Sequence, residues 1–279
     1  QIDKVVYGKV GPTDTSIKSP SSTHRHKDEP HSIAGGFVKE PHVGAHNWVV
    51  SFDLNSLYPN IIVQQNISPE TICRDNSIRF PQGVRYYLSD HDRSKPVDTN
   101  YAVCASGVPF ERTKQGIIPE LIVDYYAERT VVKKQMLAAQ SEYEKTKDKS
   151  LLSKINQAEN NQMAIKILLN SLYGALANKY FKYFDNALAE SVTLTGQTVI
   201  KWAEQCMNNA MNDITKADKD YIVAIDTDSI YVNMGPLVEK FKPKDPVKFL
   251  DKICNDHFVP RLAKSYESIL RKLLYKSTK

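Results

Sequence analysis

Two short apolar runs rich in β-branched and aromatic residues, Trp48-Val-Val-Ser-Phe52 and Tyr221-Ile-Val-Ala-Ile225, each end directly on an acidic residue. Such runs predict strands, so Asp53 and Asp226 stand at strand ends. After Asp53 the chain is predicted to turn into a short helix from Ser56 to Val63, since Pro59 is tolerated in a first helical turn. A helical period runs over Ile117 to Lys147, with Pro119 near its start, and again over Leu151 to Asn178. The polar stretch Lys145-Thr-Lys-Asp-Lys-Ser150 between them reads as a tight reversal. Two antiparallel helices of roughly 28 residues, about 40 Å long, are therefore expected. Ala187 to Asn212 predicts a third helix, whose apolar Leu188, Val192, Val199, Trp202 and Met207 suit a face laid on a sheet. Tyr221 to Val232 predicts two strands around Asp226-Thr-Asp228, and helices are expected over Val247 to Ile253 and Arg261 to Tyr275.

Composition narrows the class only slightly. The 279 residues are 41% hydrophobic and 25% charged, enough for a real core in one large domain or two small ones. A net charge of +5 suits a polyanionic partner without requiring one. Cys73, Cys104, Cys206 and Cys254 are far apart, with no C-x-x-C pair and no His at zinc spacing, and read as reduced structural thiols of a soluble protein. No apolar run reaches the roughly 18 residues of a membrane span. The first 46 residues hold five of the seven His and the run Ser19-Pro-Ser-Ser-Thr-His-Arg-His-Lys-Asp-Glu-Pro30, which predicts an irregular segment. His24, His26 and His31 there fit either a metal or a solvated loop. A start on Gln1 and an end on Lys-Ser-Thr-Lys279 read as a piece of a longer polypeptide.

The acids carry the chemistry. The i, i+2 spacing of Asp226 and Asp228 is expected to put both carboxylates on one side of a ribbon. Crowded carboxylates raise one another's pKa unless a hard divalent cation with oxygen ligands neutralises them. A solvent-facing turn with Asx bonding remains the alternative for an isolated Asp-Thr-Asp-Ser. At the predicted helix start after Asp53, the amides of Ser56 and Leu57 could receive a phosphate, or the helix could simply be capped. Arg129 and Lys133 are four apart on one helix, and Lys166, Asn170 and Tyr173 share a face of the next. Like charges at that spacing cost a helix about 0.2–0.5 kcal/mol, which an opposing anion would offset. An exposed, solvated basic face is the other reading.

Three motifs in order resemble the catalytic core of family B DNA polymerases, most closely the replicative members from T-even-type bacteriophages. They are Asp53-Leu-Asn-Ser-Leu-Tyr-Pro-Asn-Ile-Ile62, Lys166-Ile-Leu-Leu-Asn-Ser-Leu-Tyr-Gly174 and Asp226-Thr-Asp-Ser229, with Gly35-Gly-Phe-Val-Lys-Glu-Pro41, Ile67-Ser-Pro-Glu-Thr71 and Met136-Leu-Ala-Ala-Gln140 as further phage-like context. The resemblance implies an α+β fold: a palm sheet, mixed or antiparallel, backed by helices and interrupted by a helical-hairpin fingers subdomain. Its expected divisions are an irregular segment over 1–46, palm over 47–115, fingers over 116–178 and palm again over 179–279. It implies that Asp53, Asp226 and Asp228 are the catalytic acids. Two Mg²⁺ would be held chiefly by Asp53 and Asp228 with the carbonyl of Leu54. Ser56 and Leu57 amides, Arg129, Lys133, Lys166 and Asn170 would hold an incoming triphosphate, and Tyr58 would lie under the deoxyribose and exclude a 2′-hydroxyl. Tyr173 and Gly174 would border the nascent base pair.

The implied activity is DNA-directed DNA synthesis in viral replication, with primer-template DNA and dNTPs as partners, in the cytoplasm of an infected host cell. The family's exonuclease and thumb cannot be located in the sequence, so a partner chain or further segments would supply them. Two departures stand out: Ala224 occupies a position where many relatives have Tyr, and only 37 positions separate Arg129 from Lys166, a short fingers element for a T-even-type enzyme. Two rivals remain. One is a palm polymerase that makes or copies RNA, against which Tyr58 and the Asn170 to Gly174 motif argue. The other is a non-autonomous nucleic-acid-binding fragment or subunit of a split polymerase that needs a thumb-containing partner chain.

Overall fold

The computed structural model describes residues 2–10, 34–75, 80, 82–89 and 100–272. His24, His26 and His31, and the last three residues of the predicted C-terminal helix, lie outside the described residues.

The fold is α+β, built on a five-stranded antiparallel sheet. Strands β1 (Ile2–Val10), β2 (Val38–Lys39), β3 (His46–Leu54), β6 (Ile222–Asp226) and β7 (Ser229–Asn233) are ordered β1-β3-β7-β6-β2. The predicted Trp48 to Phe52 strand is the centre of β3, whose Val49, Val50, Ser51 and Phe52 are all buried. Because successive side chains point to opposite faces, four consecutive buried residues mean that both faces of β3 are covered there. A small hairpin, β4 (Tyr101–Val103) with β5 (Pro109–Glu111), stands apart from the main sheet.

The expected irregular segment over 1–46 is corrected at two places. Ile2–Val10 pairs along the whole of β3, from Ile2 opposite Leu54 to Val10 opposite His46, and Val38–Lys39 pairs with the end of β6. The sheet therefore draws strands from before residue 47. The physical reason is that backbone N–H and C=O groups on the outer edges of β3 and β6 need partners. The polar composition of this region, dominated by residues 11–33, hid these two short strands.

Helix α1 (Leu57–Gln64) follows β3, and α2 (Val84–Leu88) leads towards the β4–β5 hairpin. Helices α3 (Ile117–Thr146) and α4 (Ser150–Leu176) form the expected antiparallel pair, about 45 and 40 Å long at 1.5 Å per residue. Three residues reverse the chain between them. Lys147 takes the left-handed conformation that ends many helices (φ 55°), and the Ser150 N–H donates to Asp148 Oδ1 at 2.9 Å. The pair roots in the core through Ile118 and Ile122 of α3 and Ile165, Leu169 and Leu176 of α4, all buried.

Helix α5 (Asn186–Thr215) is the backing of the sheet. It starts on Asp185, whose side chain accepts from the Ala187 N–H at 2.8 Å. Leu188, Val192, Ile200, Met207 and Met211 are fully buried, while the predicted Val199 and Trp202 are half-buried at its margin. The same helix buries four hydroxyl residues. Ser191 reaches Ser106 at 2.8 Å, and Thr195 accepts the Ala105 N–H at 3.1 Å, so two hydroxyls one turn apart tie α5 to the β4–β5 turn. Thr193 and Thr198 bond back to carbonyls of their own helix, satisfying groups that would otherwise be buried unpaired. Helices α6 (Gly235–Phe241), α7 (Pro246–Ile253) and α8 (Val259–Lys272), the last two joined by a π-helical turn over Cys254–Phe258, complete the C-terminal part. Among the described residues no helix is long and apolar enough to cross a membrane, and no cysteine is in a disulfide.

Candidate active site

The site assembles where β3 ends and the β6–β7 hairpin turns. Asp53 sits opposite Ser229 in the ladder, and the Leu54 N–H donates to the Asp228 carbonyl at 2.9 Å. These pairings hold the two acidic segments side by side. The hairpin tip is unusually tight: Asp228 N–H donates to the Asp226 carbonyl at 2.6 Å, and Thr227 between them is left-handed at φ 53°. The chain reverses at Thr227, between the two acids. Asp228 is half-buried, whereas Asp226 is exposed.

The acids feel one another. Burial raises the Asp228 carboxyl above the ordinary carboxylate range, and the charges of Asp53 and then Asp226 raise it further. Among the described residues no group of three His, Cys, Asp or Glu side chains stands close enough to hold a metal ion. The structure thus brings Asp53 and Asp228 together, with Asp226 contributing charge from the rim. Two half-buried carboxylates in mutual repulsion make a hard-oxygen donor set that a divalent cation would relieve, so these residues fit a metal.

Tyr58 lies beside the acids. It is the second residue of α1, which follows directly from Asp53 through Ser56, a left-handed residue (φ 53°, ψ 47°) that makes no side-chain cap. The uncapped start leaves the amide end of α1 facing the same corner, where its partial positive charge suits an anion. The Tyr58 ring packs on Tyr173 of α4, centroids 4.7 Å apart at 53°. Burial pushes its phenol up to about 12, with Tyr173 and Asp228 adding to the shift, so the hydroxyl stays neutral.

From Tyr173 a polar line climbs α4 through Asn170, Lys166 and Gln162, at the three- and four-residue spacings of one helix face. Lys166 and Asn170 are exposed. Arg129 joins the line from α3, its Nε donating to Gln162 Oε1 at 3.4 Å, and Lys133, one turn further along α3, is exposed. Gly174 is exposed too, with open space where a Cβ would stand. Asp53 with Asp228, Tyr58 with Tyr173, and Arg129 with the Lys166 face are therefore brought together.

The Gly35 to Pro41 segment, to which the sequence reading gave no structural role, completes the corner as a strap. Residues 35–39 cross from α5 to the hairpin tip: Gln197 Nε2 donates to the Gly35 carbonyl at 2.6 Å, and the Thr227 N–H donates to the Phe37 carbonyl at 2.9 Å. Lys201 lies 4.1 Å from the Phe37 ring centroid, within cation–π range. Lys39 anchors the far end, bonded to Glu204 at 2.6 Å and to Asp220 at 2.5 Å. The paired glycines at 35 and 36 in a chain with few glycines were the available signal.

With this geometry in view, a family model described as DNA polymerase family B matches residues 12–279. The chain belongs to DNA polymerase family B. It is 31% identical to a DNA-directed DNA polymerase of Enterobacteria phage T4, over 85% of this chain and 31% of that one. It is 29% identical to the DNA-directed DNA polymerase of Escherichia phage RB69, over 84% and 31%. A DNA polymerase of Desulfurococcus sp. (strain Tok) is 33% identical, over 86% and 26%. The chain spans about a third of the length of the phage relatives it matches.

Proposed function

We propose that this chain is the palm and fingers part of a DNA-directed DNA polymerase that adds a deoxynucleoside monophosphate to a primer 3′-hydroxyl. The observation that carries the reading is the pairing of Asp53 and Asp228 beside the Tyr58–Tyr173 ring contact, at the foot of the helix face bearing Lys166 and Asn170. The α3–α4 hairpin is the fingers, and the β1-β3-β7-β6-β2 sheet backed by α5 is the palm.

In this reading Asp53, Asp228 and the Leu54 carbonyl hold two Mg²⁺, with Asp226 as a third acid. Such ions, when bound, activate an attacking hydroxyl and stabilise a leaving pyrophosphate. The protein's own groups position the substrate. Arg129, Lys133, Lys166 and Asn170, with the Ser56 and Leu57 amides, take the triphosphate, Arg129 by its planar fork of donors. Tyr58 bears on the sugar, where a neutral ring leaves no space for a 2′-hydroxyl. Tyr173 and Gly174 border the base pair, and closing of the hairpin on a correct nucleotide completes the site. The phage relatives support a role in viral DNA replication within an infected host cell.

Primer extension with Mg²⁺, comparing wild type with Asp228→Ala, tests the reading. Extension by the wild type and its loss in the variant is the expected result. Equal extension by both would falsify the assignment of the acids. Because the chain spans about a third of its phage relatives, a second reading is a fragment that needs a thumb-bearing partner. It predicts extension only when a segment carrying a thumb is supplied.

A further inference from the structure

Gly196 sits in the middle of α5, in the buried row that faces the site, where a residue with a side chain would ordinarily favour the helix. A Cβ built there would meet Tyr58 Cε1 at 2.9 Å, Tyr58 Cδ1 at 3.5 Å and Ile61 Cδ1 at 3.6 Å. Carbon atoms at rest stand about 3.5–4.0 Å apart, so the ring could not keep its place above any other residue. A second glycine from the strap closes the other end of the same ring: a Cβ on Gly36 would lie 3.0 Å from the Tyr58 hydroxyl oxygen and 2.8 Å from Thr227 Oγ1. Tyr173 covers a third side at 4.7 Å. Three chain segments remote from one another in sequence thus hold Tyr58, two of them by having no side chain.

We propose that Gly196 is a specificity-determining positioning residue, which by lacking a side chain seats the Cδ1–Cε1 edge of the Tyr58 ring against α5 and so sets how far the ring stands into the space for the nucleotide sugar. This rests on the reading of Tyr58 as the group that bears on the sugar. Gly36 is the end stop of the same seat and links it to the hairpin that carries Asp228. With Tyr173 blocking sideways movement, a methyl at 196 lifts the ring towards the sugar. The nucleotide then fits less well, and a ribose fits worst. A ring displaced by roughly 0.6 Å or more is enough to matter, since misplacement on the 1 Å scale costs up to about 100-fold in positioned reactions.

The test is a double-mutant cycle of Gly196→Ala and Tyr58→Ala in the polymerase containing this chain, read in two ways. The first is steady-state incorporation of dNTP and rNTP. Gly196→Ala is expected to raise the dNTP KM about tenfold with kcat changed far less, and to strengthen rejection of rNTP. In the Tyr58→Ala background the same substitution is expected to change neither, because the ring it displaces is gone. The second readout needs no activity: in spectra of the protein with ¹³C-labelled tyrosine, free of nucleotide and DNA, the Tyr58 ring signals shift in Gly196→Ala while those of Tyr143, near the far end of α3, do not. An unmoved Tyr58 signal, or an equal KM effect with and without the Tyr58 ring, overturns the proposal. If Gly196→Ala folds poorly, the double variant must recover the melting temperature of Tyr58→Ala, and failure to recover it also overturns the seat. A wild type that extends no primer refutes the polymerase reading and with it the selectivity role, whereas the ring signals decide the seat alone.

Discussion

Tyr58 and Tyr173 meet ring to ring, 4.7 Å between centroids, although 115 positions of chain separate them. This contact joins the helix that leaves the sheet at Asp53 to the long hairpin that carries Arg129 and Lys166. Any rigid-body movement of α4 changes the surface that Tyr58 packs on, so under the proposed function closing of the hairpin would bear on the ring that inspects the sugar.

Removal of the Tyr58 ring should relax sugar choice. Tyr58→Ala is expected to raise rNTP use relative to dNTP by about 10²-fold, the scale on which a packed site rejects an added hydroxyl. Tyr58→Phe should keep the rejection, because the ring and not the phenol fills the space. Competition between dNTP and rNTP at one template position measures both, and loss of discrimination in the Phe variant would count against a steric origin.

The strained pair of acids makes a signed prediction about pH and metal. Because burial, Asp53 and Asp226 raise the folded-state pKa of Asp228, its favourable contribution is full below the usual carboxylate value of 3.8 and is lost as pH rises through the raised value. Metal-free protein should therefore lose a little stability on going from acid to neutral pH, well under ~1 kcal/mol after solvent screening. Asp228→Asn should remove that slope. Mg²⁺ well above its dissociation constant should raise the wild-type stability by about 1–3 kcal/mol by mass action, and the variant's far less. Thermal melts across pH, with and without Mg²⁺, read all of this.

The pattern of the sequence carried the long elements well because each has many residues of one period. The α3–α4 hairpin, α5 and the β6–β7 pair all fall within a few residues of their predicted bounds. Asp53, Tyr58, Tyr173 and Asp228 were legible as candidates because they lie in dense motifs. What escaped was structure made by pairing across long separations. Ile2–Val10 and Val38–Lys39 are strands because β3 and β6 offer them edges, a fact absent from their local composition. Gly196 and Gly36 act through what they lack, and only coordinates show which ring occupies the space.

Arg129 is expected to be intolerant of its usual replacement. Gln162 Oε1 meets the guanidinium at Nε, 3.4 Å away, which leaves the outer fork for the proposed triphosphate. Lys keeps the charge but loses both the tether and the bidentate donors. Arg129→Lys should raise the dNTP KM by about tenfold, since roughly 1.4 kcal/mol of charged hydrogen bonding is lost. Gln162→Leu should produce a smaller rise, about threefold, by freeing the side chain. Nucleotide titrations at fixed primer-template separate these from changes in kcat.

The strap should come loose in acid. For Asp220, burial alone would raise the carboxyl, but the bond to Lys39, helped by Asn208 and the Ile222 N–H, brings it below the ordinary value. A depressed carboxylate stabilises above its unfolded value of 3.8 and loses that contribution as pH falls through the lower folded value. His42, 3.7 Å from Asp220, and Glu204 on the other side of Lys39 are the remaining titratable neighbours. Protonating Asp220 takes away one of the two acids that hold Lys39, and with it one end of the segment that bonds Thr227 and stops the Tyr58 hydroxyl. Lys39→Met should mimic this at neutral pH, costing about 0.5–1 kcal/mol for a partly exposed network. Hydrogen exchange at the Thr227 amide is the measurement. Its protection should fall below pH 4 in the wild type, once exchange is corrected for its intrinsic pH dependence, and should already be low at pH 7 in Lys39→Met. Equal protection in both proteins at pH 7 would show that Lys39 does not hold the strap in place.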